Sequence, residues 1–122
     1  MVRTTLEEAR LHPAIRDKVA NQNADIVHNV QAAAASNPVL VVGMAGNPHV
    51  RRTRKMLDAA GIAHHYLEFG SYFGEWRRRT ALKMWTGWPT FPMVFVKGTL
   101  IGGASELERL VTGGELKRIL GE

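Results

Sequence analysis

Residues 88–103 read WPTFPMVFVKGTLIGG, and this stretch decides the second half of the fold. Two apolar runs flank Lys97-Gly98, which predicts a β-hairpin with a two-residue turn. Pro92 stands where the first strand begins, a position that tolerates the loss of an N–H. Two conformations of the preceding bond are open. A cis Phe91–Pro92 bond leaves the Phe91 backbone accessible to an extended ligand, whereas a trans bond is an ordinary start of a strand.

Upstream of the hairpin, apolar runs alternate with helical patterns. Val39-Leu40-Val41-Val42 predicts a strand buried on both faces, as in parallel sheets. A helix is predicted over 50–60, a second strand over 62–69 and a third helical region over 71–85. The β-α-β order predicts parallel strands joined by a right-handed crossover, and the hairpin adds an antiparallel pair.

Both ends of the chain are predicted to be helical. A short helix begins at Thr4 or Thr5, and a longer one runs from Pro13 to Ala35. The apolar face of this longer helix is formed by Ile15, Val19, Ile26, Val27 and Val30. Two further helices, over 105–111 and 115–120, close the chain. This element order is that of a thioredoxin-like α/β fold, with three α/β/α layers around a four-stranded mixed sheet. Residues 1–36 then form an N-terminal helical extension, and 37–122 form the folded domain.

The composition excludes several chemistries. The 122 residues contain no cysteine, so disulfides, thiolate metal sites and a cysteine nucleophile from this chain are excluded. No apolar segment has the length of a membrane span, and the N-terminus lacks the apolar region of a signal peptide. We therefore expect a cytoplasmic protein without a membrane partner. The net charge of +5 arises after residue 37, chiefly from two basic clusters, 51–55 and 77–83.

Asn47-Pro48 is a typical start of a helix. Asn47 is predicted to be the N-cap, with its side chain accepting from the first turn, and Pro48 suits the first helical position. Open N–H groups at such a helix start predict an anion site, to which His49 and the basic cluster 51–55 would contribute. The alternative is that Asn47 is only a cap and the basic residues form a solvated face.

Gly102-Gly103 leads into the final helices. Paired glycines permit close approach of the backbone to a ligand, and Ser105 is predicted to be the N-cap of the next helix. Without a ligand, the same residues are an ordinary turn from hairpin to helix.

Taken together, these segments resemble a glutaredoxin, closest to the monothiol class. The resemblance covers residues 37–121 and is carried by Asn37-Pro38-Val39-Leu40, Met44-Ala45-Gly46, Trp88-Pro89-Thr90-Phe91-Pro92, Ile101-Gly102-Gly103 and Gly114-Glu115-Leu116. It implies that Asn47 stands where that family has its reactive cysteine.

The resemblance also implies a glutathione-binding groove. Arg79 matches a basic residue that contacts the glycine carboxylate of glutathione. Thr90, Phe91 and Pro92 match the segment that binds the peptide backbone. Gly103, Ala104 and Ser105 match the turn that holds the γ-glutamyl end, without the family's aspartate, and Ala45 replaces a family lysine.

The implied activity is glutathione-dependent thiol–disulfide exchange, and this exchange requires a thiolate. The monothiol class also bridges a [2Fe–2S] cluster, which needs the same cysteine as an iron ligand. We therefore expect a redox-inactive protein without an iron–sulfur cluster or metal site, which binds glutathione or a small anionic peptide. Whether any catalysis remains is open. The candidate ligand-binding residues are Asn47, His49, Arg79, Thr90, Phe91, Pro92, Gly103, Ala104 and Ser105.

Two other functions are considered. Residues 1–36 could mediate a homodimer or bind a protein partner through their apolar face, unless that face packs on the domain's own sheet. The basic clusters could bind nucleic acid, but no nucleic-acid-binding fold accompanies them, which disfavours this partner.

Overall fold

The computed structural model describes residues 2–71 and 73–121. Met1, Tyr72 and Glu122 lie outside the described residues, although the sequence-based predictions for 1–36, 71–85 and 37–122 include them. None of the helices in the described part of the chain combines the length and the apolar character needed to cross a bilayer.

The strands of residues 2–71 and 73–121 form one mixed sheet of four at the centre of the fold. The strands are β1 (Val39–Gly43), β2 (His65–Glu68), β3 (Met93–Val96) and β4 (Thr99–Gly102), in the spatial order β2-β1-β3-β4. β1 pairs with β2 in parallel, and the β1–β3 and β3–β4 pairs are antiparallel. The predicted hairpin turn is present, with positive φ at both Lys97 and Gly98, as a type I′ turn requires.

In the described part of the chain, six helices follow a short 3₁₀ turn at Glu8–Arg10. They are α1 (Pro13–Asn21), α2 (Ala24–Ser36), α3 (Pro48–Ala59), α4 (Trp76–Thr86), α5 (Ala104–Thr112) and α6 (Glu115–Leu120). Each helix that packs on the sheet contributes apolar side chains to one of the two faces. The layered thioredoxin-like arrangement predicted from the element order is therefore confirmed.

β1 is buried at every residue because its side chains supply two apolar clusters. Leu40 and Val42 pack on the side covered by α2 and α4, and Val39 and Val41 pack on the side covered by α3, α5 and α6. The helical partners on the first side include Ile26, Val30 and Leu82, and those on the second include Leu57, Leu107 and Leu116. These two clusters explain why the sequence of β1 is uniformly apolar.

The N-terminal region differs from the prediction. The expected helix from Thr4 or Thr5 is reduced to the 3₁₀ turn, and the continuous helix 13–35 is broken before α2 because Asn23 has a φ of +53°. α1 consequently leaves the sheet, and Ile15 and Val19 are 44% and 48% exposed. The single apolar face predicted along 13–35 is therefore wrong. The division at residue 36 stays a prediction, but α2 contributes to the same apolar cluster as β1.

Element boundaries differ elsewhere too, and three of the differences bear on the site. The second strand covers only His65–Glu68 of the predicted 62–69. The third helix begins at Trp76 instead of residue 71, because Gly70 and Glu75 both have a positive φ and hold the intervening chain in a turn. α5 begins at Ala104, so Ser105 lies within its first turn and is not the N-cap.

Candidate functional site

The register of the sheet brings three predicted site segments to one edge. Val42, near the end of β1, pairs with Met93 at the start of β3, so the chain after β1 lies beside the chain before β3. Gly102, at the end of β4, pairs with Val94, so the residues after β4 join the same edge. Residues 44–47, 90–92 and 103–105 therefore lie along one margin of the sheet.

Asn47 uses its side chain to cap α3, as predicted. The Asn47 Oδ1 atom accepts from the backbone N–H groups of His49 (2.8 Å) and Val50 (3.3 Å), and Asn47 is only 9% exposed. The N–H of Arg51 bonds to the Asn47 carbonyl (3.2 Å), and Pro48 has no N–H. Anion binding through His49 and the basic cluster 51–55 stays a prediction, but the first turn of α3 has no open N–H group to contribute to it. The cap itself is the reason, because an amide oxygen supplies the acceptor that an anion would supply.

The Phe91–Pro92 peptide bond is cis. Phe91 and Pro92 are buried, whereas Thr90 is exposed. A Cβ atom on Gly103 would lie 3.2 Å from the Pro92 carbonyl oxygen and 3.6 Å from Trp88 Nε1. This close approach of two backbone segments explains why a residue without a side chain stands at position 103.

Arg79 lies in the interior, where backbone groups occupy its guanidinium. The residue is 6% exposed, and its Nη1 donates to the carbonyl oxygens of Phe69 (2.9 Å) and Gly74. Arg79 therefore fixes the segment between β2 and α4. Its contact with a ligand carboxylate stays a prediction.

Lys83 is the cation that the sequence-based site omitted. It follows Arg79 by one helical turn, and its Nζ lies 5.7 Å from the centroid of the Phe91 ring. This position next to the 90–92 segment places a positive charge at the sheet margin. The i, i+4 spacing from Arg79 along α4 is the signal that could have found it.

The start of α5 already holds a carboxylate. Glu106 Oε1 accepts from the Gly103 N–H (2.9 Å), which is one half of a capping box. Ala104 is buried and Ser105 is exposed in the same turn. Of the three residues predicted here, Gly103 is the one whose backbone approaches the Pro92 carbonyl oxygen as described above.

The histidines do not form a metal centre. His49 is exposed in the first turn of α3, and His64 and His65 are neighbours in the chain at the start of β2. Among the residues that the structure describes, no group of three His, Cys, Asp or Glu side chains could hold a metal ion.

The relatives and the solved structures that are similar to this chain are glutaredoxins or glutaredoxin-like proteins. No family model matches the chain. A protein of Dictyostelium discoideum described as a glutaredoxin-like protein is 44% identical over 102 residues, which cover 84% of this chain and 83% of that protein. A mitochondrial monothiol glutaredoxin, S4, of Oryza sativa subsp. japonica is 30% identical over 108 residues, covering 86% of this chain and 57% of that protein's length.

Solved structures agree with these relatives. The crystal structure of a buckwheat glutaredoxin–glutathione complex matches with a TM-score of 0.71 and 27% identity, over 82% of this chain and 91% of that one. A mutated buckwheat glutaredoxin matches with a TM-score of 0.72 and 27% identity, over 84% and 93% of the two chains.

Proposed function

The chain belongs to the glutaredoxin family, and we propose that it binds glutathione, or a similar extended anionic peptide, without carrying out thiol chemistry. Its fold and its relatives support the family, and its lack of cysteine fits a redox-inactive form. The cytoplasmic location expected from the sequence remains part of this proposal.

The argument against thiol chemistry concerns position 47. Thiol–disulfide exchange starts with the attack of a thiolate on sulfur, and an iron–sulfur cluster held by this position needs a sulfur ligand. An amide side chain can do neither. In addition, Asn47 Oδ1 is held by two N–H groups of α3 and is engaged in capping the helix. Asn47 therefore serves as the cap of α3, and its contact with a ligand stays a prediction.

The observation that carries the binding proposal is the register of β1, β3 and β4. It brings the loop before Asn47, the Thr90-Phe91-Pro92 segment and Gly103 to one margin, where an extended peptide can lie between them. Gly103 leaves the space beside the Pro92 carbonyl oxygen free because it lacks a side chain. Lys83 adds a positive charge beside Phe91, suited to a carboxylate of the ligand. The glutathione in the buckwheat complex belongs to that protein and supports the proposal by similarity.

Calorimetric titration with reduced glutathione tests the proposal. We expect saturable binding in the millimolar range or tighter, and the same affinity within about twofold for S-methylglutathione, because no thiol reaction contributes. Lys83→Gln should weaken binding severalfold. Lys117→Gln, which removes an exposed charge from α6, is the matched control and should bind as the parent does. An absence of binding at millimolar glutathione would overturn the glutathione proposal.

A second candidate function is supported by α1. None of its nine residues is buried, and Ile15 and Val19 leave two apolar side chains in water. Such a short helix is marginal without tertiary packing. The exposed apolar side chains favour binding of a protein partner or of a second copy of this chain at α1. Sedimentation of the parent and of the double variant Ile15→Ser/Val19→Ser tests whether two copies associate. A monomer in both cases would exclude the homodimer.

A further inference from the structure

We propose that Arg3 is a positioning residue of the glutathione groove, which holds the start of segment 88–92 in place. Arg3 lies in residues 2–7, which form neither helix nor strand and precede the 3₁₀ turn at Glu8–Arg10. It is nevertheless hydrogen-bonded to Thr86, a residue 83 positions further along the chain. The inference deepens the proposed function and rests on it for its binding test, whereas the contact itself can be tested without a ligand.

Arg3 caps the C-terminal end of α4. Its Nη1 donates to the carbonyl oxygen of Thr86 (2.7 Å), and its Nη2 donates to that of Trp85 (3.2 Å). The last carbonyl groups of a helix have no N–H partner within the helix, and the negative end of the helix dipole favours a cation beside them. One guanidinium group therefore satisfies two carbonyls and complements the dipole at the point where the chain leaves α4.

Gly87 makes room for this guanidinium. Gly87 ends α4 with a φ of +77°, and its N–H donates to the Lys83 carbonyl oxygen (2.8 Å). A Cβ atom on Gly87 would collide with the Arg3 guanidinium. A glycine at this position thus permits both the left-handed backbone and the close approach of Arg3.

Thr86 connects the contact of Arg3 to Trp88. The Thr86 hydroxyl donates to the Leu82 carbonyl oxygen (2.8 Å), and its oxygen accepts from the backbone N–H of Trp88 (3.1 Å). Arg3 therefore binds the carbonyl group of the same residue whose hydroxyl group holds the backbone of Trp88. Loss of the Arg3 contact should loosen both ends of this connection.

The indole ring of Trp88 extends from the end of α4 to the margin of the groove. A Cβ atom on Gly103 would lie 3.6 Å from Trp88 Nε1 and 3.2 Å from the Pro92 carbonyl oxygen, and Trp88 packs against the apolar cluster that contains Phe91. Trp88 Nε1 is buried and has no acceptor in the described part of the chain. Since no hydrogen bond fixes the indole ring, its position depends on packing and on the backbone N–H that Thr86 holds.

This series of contacts predicts a local effect of Arg3 on binding. A segment that is ordered before it meets its ligand loses less conformational entropy on binding and so binds more tightly. The two hydrogen bonds of Arg3 are exposed, and such bonds contribute modestly to the stability of a whole domain. The loss of Arg3 should therefore weaken the order of segment 88–92 and its affinity for glutathione, with little change in global unfolding.

Amide hydrogen exchange of the ligand-free protein tests the contact. In Arg3→Gln, the amides of Gly87 and Trp88 should exchange about threefold faster or more than in the parent, while those of β1 keep their rates. Arg10→Gln removes another exposed cation of the N-terminal region and is the matched control, in which all these rates should be retained. Unchanged exchange at Gly87 and Trp88 in Arg3→Gln would overturn the proposal, whether or not the protein binds glutathione.

Calorimetric titration with reduced glutathione tests the effect on the groove. Arg3→Gln should weaken binding about threefold or more, whereas Arg10→Gln should bind as the parent does. Arg3→Lys keeps the charge but lacks the planar pair of donors, so it should recover only part of the loss. Unchanged affinity in Arg3→Gln, an equal loss in Arg10→Gln, or full recovery in Arg3→Lys would overturn the positioning role. Absence of binding by the parent would overturn the proposed function as well, and faster exchange in Arg3→Gln would then identify Arg3 as a helix cap only.

Thr86→Val tests the connection through Trp88. Valine has nearly the same shape as threonine but offers no acceptor to the Trp88 N–H, so glutathione affinity should fall as it does in Arg3→Gln. In the double variant Arg3→Gln/Thr86→Val, the loss should be smaller than the product of the two single losses, because both substitutions act on the position of Trp88. Single losses that multiply in the double variant would show that Arg3 acts independently of Thr86 and would contradict the proposed connection.

Discussion

Asn47 shows how one residue can preserve a local structure while changing its chemistry. The start of α3 presents N–H groups that stabilise negative charge, and this is an environment that activates a cysteine. Asn47 Oδ1 accepts two of those groups and so satisfies the helix without any charge. The capping role was predictable from Asn47-Pro48. It was not predictable that every N–H group of the first turn is hydrogen-bonded, because this depends on the orientation of the Asn47 side chain.

If this explanation is correct, Asn47→Cys should recreate an activated thiol. The N–H groups of His49 and Val50 and the dipole of α3 favour the thiolate, so the pKa of the new thiol should lie below the usual value of about 8.5. Thiolate absorbance measured against pH gives this pKa. Thr112→Cys, at the exposed C-terminal end of α5, is the control, and its pKa should be no lower than the usual value because that helix end disfavours negative charge. Equal pKa values in the two variants would contradict the prediction.

Tyr66 predicts a pH dependence of stability. Burial, followed by the hydrogen bond to Glu68, raises the pKa of its phenol above the usual value of about 10. Above that pH the unfolded chain releases the proton that the folded chain keeps, so stability is lost as the pH rises. Urea unfolding between about pH 9 and 11 should show a smaller loss for Tyr66→Phe than for the parent. The prediction fails if the two proteins differ by the same amount at neutral and at alkaline pH.

At the scale of elements, the segment between β2 and α4 departs most from the sequence-based prediction. The sequence after residue 70 predicts a helix. In the structure, however, a Cβ atom on Gly70 would lie 2.6 Å from the Gly74 carbonyl oxygen, and Glu75 has a φ of +57°. The chain therefore forms a tight turn before α4 begins. Arg79 closes this turn from inside, a tertiary contact that local propensity does not encode.

Arg79→Ala should accordingly destabilise the protein. The substitution leaves the carbonyl groups of Phe69 and Gly74 without their charged donor, and we expect a loss of about 3 kcal/mol in the free energy of unfolding. Urea denaturation measures this loss. Arg77→Ala, on the exposed side of α4, is the control and should change stability by less than about 0.5 kcal/mol. A similar effect of both substitutions would show that Arg79 does not hold the turn.

At the scale of the whole molecule, the order of elements along the chain was predictable because β-branched runs and a short hairpin turn encode it locally, and the layers followed from that order. Which of the N-terminal helices packs on the sheet was not predictable. Asn23 breaks their common apolar face, so Ile26 and Val30 enter the core while Ile15 and Val19 stay exposed. The spacing of the apolar residues along the sequence predicts the same packing for all four side chains. Which of them pack is decided by the backbone at one residue.

This asymmetry predicts different outcomes for two truncations. A chain that begins at Asn23 keeps α2 and should unfold at nearly the same urea concentration as the parent, since none of residues 2–22 is buried. A chain that begins at Asn37 also loses Ile26, Val30 and Ala34, all of which are buried in the cluster around β1. Burial of an Ile or Val side chain contributes about 1.5–3 kcal/mol, so this loss should exceed about 4 kcal/mol.

Far-ultraviolet circular dichroism during the urea titration distinguishes the two truncations. A loss of that size approaches the total stability of many domains, about 5–15 kcal/mol, so the shorter chain should be largely unfolded near room temperature. Arg3, which donates to the Thr86 and Trp85 carbonyls at the end of α4, is removed in both chains and so cannot explain a difference between them. If the chain from Asn37 folds as stably as the chain from Asn23, α2 is dispensable. The core would then be complete without the N-terminal region.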